Sequence, residues 1–175
     1  MKQILDQLKT ITPPRLVREA LALYGVTEAT GSKNNAVIVN WAKETNIKGD
    51  NWYSADSIPW CGLFMAVIAQ RANWQPPNEA LRALSWVDFG NKSPQPSLGD
   101  VLVFKRKGGG HVGLYVGETV DSFYVLGGNQ SDKVNITRIA KSRLFASKRP
   151  PYKIQPESVK PYHYTSSGEL SENEA

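Results

Sequence analysis

Pro59-Trp60-Cys61-Gly62-Leu63-Phe64-Met65-Ala66-Val67-Ile68-Ala69 is the stretch on which the architecture turns. It opens on a proline, which suits a first helical turn, and it is apolar nearly all round, which reads as a buried helix starting near Trp60. Upstream the pattern stays helical. Residues 1–12 form a short amphipathic arm or helix. Arg15–Tyr24, after Pro13-Pro14, sets Leu16, Ala20 and Leu23 on one face and closes at Gly25. Asn34 or Asn35 caps a further helix through Glu44, and the polar residues 45–58 read as a loop. A short helix is expected around Glu79–Phe89. Downstream the character changes. Val101–Lys105, His111–Val116, Ser122–Leu126 and Val134–Ile139 are rich in Val, Leu, Ile, Tyr and Phe, with Gly, Asp and Asn between them, as antiparallel strands are. Helices first and a meander afterwards predict an α+β domain, N-terminal helices packed on an antiparallel sheet.

The chain has 175 residues, 41% of them aliphatic or aromatic, enough for one packed core. Three segments are expected: an arm at 1–12, a domain at 13–150, and a Pro-rich extension with an acidic tail at 151–175, its last ten residues disordered. The net charge is +5, and the three Glu of residues 161–175, which carry no Lys or Arg, leave residues 1–160 at +8. A basic body suits an anionic partner: nucleic acid, membrane surface or cell-wall polymer. The single cysteine excludes an intramolecular disulfide, and one Cys with two His cannot make a Cys/His structural zinc site. No apolar run is long enough to span a bilayer. The charged N-terminus has no apolar h-region, so no signal peptide is expected.

Cys61 falls at the start of the buried helix, where the dipole and free N–H groups favour a thiolate; the alternative is a small inert core residue. His111 follows Gly108-Gly109-Gly110 and opens a strand, with a loop histidine bonded to a carbonyl as the alternative. Lys105-Arg106-Lys107 lacks the order of a nucleotide loop. Asn129 lies where a hairpin returns the chain towards His111, and its side-chain oxygen would orient the imidazole. Gln130 and Asp132 are rivals for that role. A lone Cys with His and Asn later in the chain is the pattern of a cysteine nucleophile with base and orienting residue.

The blocks Pro59-Trp60-Cys61-Gly62-Leu63-Phe64, Leu98-Gly99-Asp100-Val101-Leu102-Val103-Phe104, His111-Val112-Gly113-Leu114-Tyr115-Val116 and Gly127-Gly128-Asn129-Gln130 resemble the NlpC-type and CHAP-type papain-like peptidoglycan hydrolases, especially a small phage-associated group. Leu81-Arg82-Ala83-Leu84-Ser85-Trp86 is similar to that group too. The resemblance implies a papain-like fold, Cys61 as nucleophile, His111 as base, Asn129 as orienting residue and Asp100 as a structural turn residue. Two departures stand out: Trp60-Cys61-Gly62 replaces the Asp-Cys-Ser of many NlpC-type enzymes, and Gly127 stands where many CHAP-type domains carry Glu.

The expected reaction is hydrolysis of an amide in or next to the stem peptide of peptidoglycan through a thioester, with no cofactor or metal. The Cys61 N–H is one expected oxyanion donor, and Tyr53 or Ser54 are candidates for a second. Trp52, Trp60 and Trp86 are candidates to line a substrate groove, with core packing as the alternative. The lack of a signal peptide fits a phage lysin released through a holin, or an effector injected by secretion machinery and countered by an immunity protein. Such a protein is made in the cytoplasm, acts as a monomer and reaches the wall by another system. The alternatives are a non-enzymatic wall-binding module, a basic nucleic-acid binder without a recognised motif, and a protein-directed cysteine transferase or deamidase.

Overall fold

A computed structural model describes residues 1–46, 53–165 and 170–171. Four α-helices precede a six-stranded sheet: α1 (Lys2–Thr10), α2 (Arg15–Ala22), α3 (Ala36–Thr45) and α4 (Cys61–Arg71), then β1 (Asn91–Lys92), β2 (Val101–Arg106), β3 (Gly109–Glu118), β4 (Ser122–Gly127), β5 (Asn135–Ala140) and β6 (Leu144–Arg149). The strand order is β1-β6-β2-β3-β4-β5 and every pairing is antiparallel. The α+β class read from the sequence is therefore the observed one.

α4 is the central helix. Every residue from Cys61 to Ala69 is buried, and only its last turn reaches solvent, where Arg71 pairs with Glu44 at 2.6 Å. A helix without a polar face needs cover on all sides. Cover comes from α2 and α3 and from one face of the sheet, where Val101, Val103, Val112, Leu114, Val116, Tyr124, Leu126 and Ile136 join the same core. Strand alternation turns Leu102, Phe104, Tyr115, Phe123, Val125 and Ile139 to the other face, where they form a second apolar cluster. Trp41 of α3 packs on Trp60 and Phe64, with ring centroids 5.8 and 6.1 Å apart.

α3 begins where the sequence predicts. The Asn35 side chain accepts from the Val37 N–H at 2.9 Å, and Asn46 ends the helix in the left-handed region. The buried Asp56 carboxylate accepts from the backbone N–H groups of Ala29 and Asn35 at 2.8 and 2.7 Å, which ties the segment before α4 to the segment before α3.

The structure adds to the sequence reading in three places. The helix expected around Glu79–Phe89 is a 3₁₀ helix over Ala83–Asp88, and its Trp86 indole turns inward and donates to the Ala80 carbonyl at 2.8 Å. β1 and β6 have no local signature in the sequence: β1 is two residues long, and β6 ends on Ser147-Lys148-Arg149, with no alternation to mark it. The boundaries at 12 and 151 are not breaks in packing. Ile4 and Leu8 of α1 lie in the main core, and the 156–165 segment bonds back to it through Leu98 N–H to the Lys160 carbonyl and Glu118 N–H to the Tyr162 carbonyl. The expectation of disorder over the last ten residues falls mostly outside the described residues; of these, Leu170 bridges to Arg138 and Ser171 donates to its carbonyl at 2.8 Å. No described helix is long and apolar enough to cross a membrane.

Candidate functional site

The β2–β3 hairpin turns through Lys107-Gly108, with Gly108 at φ +82°, and pairs Phe104 with His111. The two rings stack, their centroids 6.5 Å apart and their planes within 26°. His111 is buried at 1% exposure. β4 runs beside β3 as far as Leu126 opposite Leu114, then leaves it at Gly127-Gly128. The start of α4 lies against β3. Cys61 is the first residue of α4, and its sulfur meets the backbone N–H of Val112, the residue after His111, besides those of Cys61 and Gly62.

Two glycines make this convergence possible. A Cβ on Gly128 would sit 2.6 Å from the Phe64 Cβ and 2.7 Å from Trp60 Cζ3, so the connection after β4 lies flat on the first turn of α4. A Cβ on Gly127 would fall 2.9 Å from Gln130 Oε1 and 3.3 Å from His111 Nε2.

Gln130, not Asn129, is on the imidazole: its Oε1 lies 3.0 Å from His111 Nε2. The Gln130 amide nitrogen donates to the Asn135 carbonyl at 2.7 Å, to Asn135 Oδ1 at 2.9 Å and to the Val125 carbonyl at 3.2 Å. Three acceptors around the nitrogen fix the orientation of the amide and aim its oxygen at the ring. An acceptor at Nε2 puts the neutral ring's proton on Nε2 and leaves Nδ1 as the basic nitrogen. Asn129 takes the left-handed corner at φ +54°, which places it in the turn and hands the contact to its neighbour. Asp132 is exposed, its backbone carbonyl accepting from the Glu28 N–H at 2.8 Å.

Burial pushes the Cys61 thiol above its ordinary pKa of 9.0, while the Val112 N–H, the positive charge of Arg106 and the N–H groups of the helix start pull the other way. Burial wins, so the expectation that the helix start lowers the thiol is revised in its net direction.

The aromatic residues expected in a groove are core residues instead. Trp60 and Trp86 are fully buried with satisfied indoles, Trp60 donating to Glu28 Oε1 at 2.7 Å and Trp86 to the Ala80 carbonyl. Tyr53 is also buried and donates to the Ile58 carbonyl at 2.9 Å, so this hydroxyl proton is engaged inside the protein. Ser54 is exposed. Trp52 lies outside the described residues. Two neighbours were not assigned to the site from sequence. Arg106 puts its charge on Cys61, and the half-exposed Leu84 lies where a Gly110 side chain would be, its Cδ2 2.7 Å from that point. The clue to Arg106 was its place at the hairpin beside the glycines that lead to His111.

Fold and site together define an α+β domain with a buried thiol at a helix start, bonded to the strand residue that follows a histidine, and that histidine paired with a glutamine. No family model matches the chain, and no curated protein matches it.

Proposed function

We propose that this chain is a papain-like cysteine amide hydrolase with Cys61 as nucleophile, His111 as base and Gln130 as the residue that orients the imidazole. One observation carries the reading: the Cys61 sulfur sits at the Val112 N–H, one residue from a histidine whose Nε2 is bonded to Gln130 at 3.0 Å. His111 Nδ1 takes the thiol proton as the sulfur attacks the amide carbonyl carbon. The N–H groups that meet the sulfur also suit the developing oxyanion. The C–N bond then breaks, and the amine leaves with the proton returned by His111. A thioester on Cys61 remains, and water, deprotonated by the same nitrogen, releases the acid and restores the thiol. A buried thiol with a raised pKa fits this order of events, in which proton transfer accompanies attack.

The substrate class we propose is peptidoglycan, cleaved at an amide in or next to the stem peptide. Support comes from the resemblance in the four sequence blocks and from the positive charge of residues 1–160, which attracts anionic wall polymers over a distance set by salt. In this reading the enzyme reaches the wall through a holin or a secretion machine. The test is incubation of purified sacculi with wild type and Cys61→Ala, with mass spectrometry of the soluble products. Fragments released by wild type alone, with both proteins equally folded by circular dichroism, are the expected result. No release by folded wild type would overturn the wall substrate and move the same chemistry to a protein amide.

A further inference from the structure

At the far side of the sheet from β4 and β5, β6 carries an open edge. β1 pairs only with Lys148 and Arg149, and the Ser93 N–H adds one bond to the Ser147 carbonyl at 3.0 Å. Leu144, Phe145 and Ala146 have no strand partner on that side among the described residues. The register to β2 slips here: Val103 faces Ala146 and Phe104 faces Leu144, so Phe145 is the extra residue of a bulge. The bulge turns Phe145 outward. It is 47% exposed, with the Lys105 ammonium 3.7 Å above its ring.

A cavity of about 550 Å³ opens at this edge between Val87, Leu144, Phe145 and Ala146. Lys92 and Lys148 also line it, and no carboxylate does, though Asp88 adjoins Val87 in the chain. The Ser147 hydroxyl, which lines the cavity as well, is buried and has no hydrogen-bond partner. β2 separates β6 from β3 and His111, so this surface is distinct from the thiol site.

We propose that the β6 edge is a docking surface for an acidic, extended segment of a partner protein, which adds to the edge as a short strand and seats one apolar side chain in the cavity. Each part of the surface selects one feature of that occupant. Free backbone groups on an edge strand pair with an extended chain and not with a helix. The apolar walls take an aliphatic or aromatic anchor. Lys92, Lys105 and Lys148 favour carboxylates on the residues to either side. The bulge limits the added strand to a few residues.

The probe is a fluorescein-labelled decapeptide of alternating glutamate and valine, titrated into the full chain at low and at physiological salt. Saturable binding is expected, with slowed amide exchange at Leu144–Ala146. The Lys92→Glu/Lys148→Glu double variant is expected to weaken binding by about tenfold while keeping the wild-type circular dichroism, Lys92 being exposed and Lys148 half-buried at the strand edge. Phe145→Ser is expected to weaken it too. Equal binding of polyglutamate or heparin would overturn the proposal in favour of charge alone. Binding without slowed exchange on β6, or no binding by the folded chain, would overturn it as well.

Discussion

The proton on His111 is placed by an amide whose own position is fixed by three carbonyl oxygens, and that order of dependence makes Gln130 testable apart from the proposed nucleophile, Cys61. His111→Ala is expected to lower kcat by about 10²–10⁴-fold, the usual contribution of a base. Gln130→Ala keeps the base and loses its aim, so a smaller loss is expected, while Asn129→Ala stays within a few-fold of wild type. An Asn129→Ala defect larger than that of Gln130→Ala would return the orienting role to Asn129. Gly127→Ala probes the same contact from outside. The added methyl meets the held Gln130 amide oxygen and His111 Nε2, so it strains the contact that aims the ring and the bonds that hold the amide. Its expected signature is a lowered kcat with a small drop in melting temperature. The sequence singles out Cys61 and His111 as candidates because one opens a helix and the other follows the glycines at the head of β3. It left three residues open for the third position, because 129–132 is a turn and the choice is made by backbone geometry: Asn129 takes the positive φ, and Gln130 is the side chain that Asn135 and Val125 capture.

Elements are held to each other by a few polar clamps as well as by the core. Arg149 at the end of β6 donates to both oxygens of Asp100, at 2.9 and 2.8 Å, and to Ser93 Oγ at 2.9 Å, while Asp100 also accepts from Ser93 Oγ and Ser97 N. Asp100 is fully buried just before β2, so it is the residue that locks β6 and the turn before β2 together. Arg149→Ala leaves that carboxylate buried without its cation, and a loss of about 2–3 kcal/mol is expected in urea unfolding. A loss below about 0.5 kcal/mol, the range of ordinary surface substitutions, would show that Ser93 and Ser97 suffice. Gly128→Ala works against the other side of the molecule. Its methyl would press on the buried Trp60 and Phe64, which have nowhere to go, so it is expected to cost about 1–3 kcal/mol as overpacking does. The contrast with Gly127→Ala separates contact with the site from contact with the core. Helices α3 and α4 and strands β2 to β5 were legible because caps, apolar runs and glycine turns mark them locally. β6 was not, since its partner β2 lies about forty residues back in the chain and only tertiary pairing defines it.

At the scale of the whole molecule, buried hydroxyls set an alkaline limit on stability. Burial raises Tyr152 and Tyr164 to about 12 and pushes Tyr53 and Tyr115 higher, all from an ordinary value of 10.0; the Cys61 thiol is raised from 9.0. In every case the folded state holds its proton more tightly than the unfolded chain does. Above the unfolded values the unfolded state binds fewer protons, so stability falls as pH rises. The contribution is intact below about pH 9 and is lost progressively as pH climbs through 10 towards 12. Melting temperatures are therefore expected to be flat from pH 7 to 8.5 and to drop steeply by pH 11. Tyr152 isolates one part of that slope. Its hydroxyl is buried without a hydrogen-bond partner, close to Asp100 and Arg149, and its ring packs edge-on to Trp74 with centroids 5.7 Å apart. Tyr152→Phe keeps the ring and removes the unbonded oxygen, so stability at pH 7 is expected to stay or rise by up to about 1 kcal/mol. The same variant is expected to melt less steeply with pH above 10, because one of the groups that ionise on unfolding is gone. An unchanged alkaline slope, or a loss at neutral pH, would mean that water satisfies the hydroxyl in the folded protein and that its burial is not what raises it.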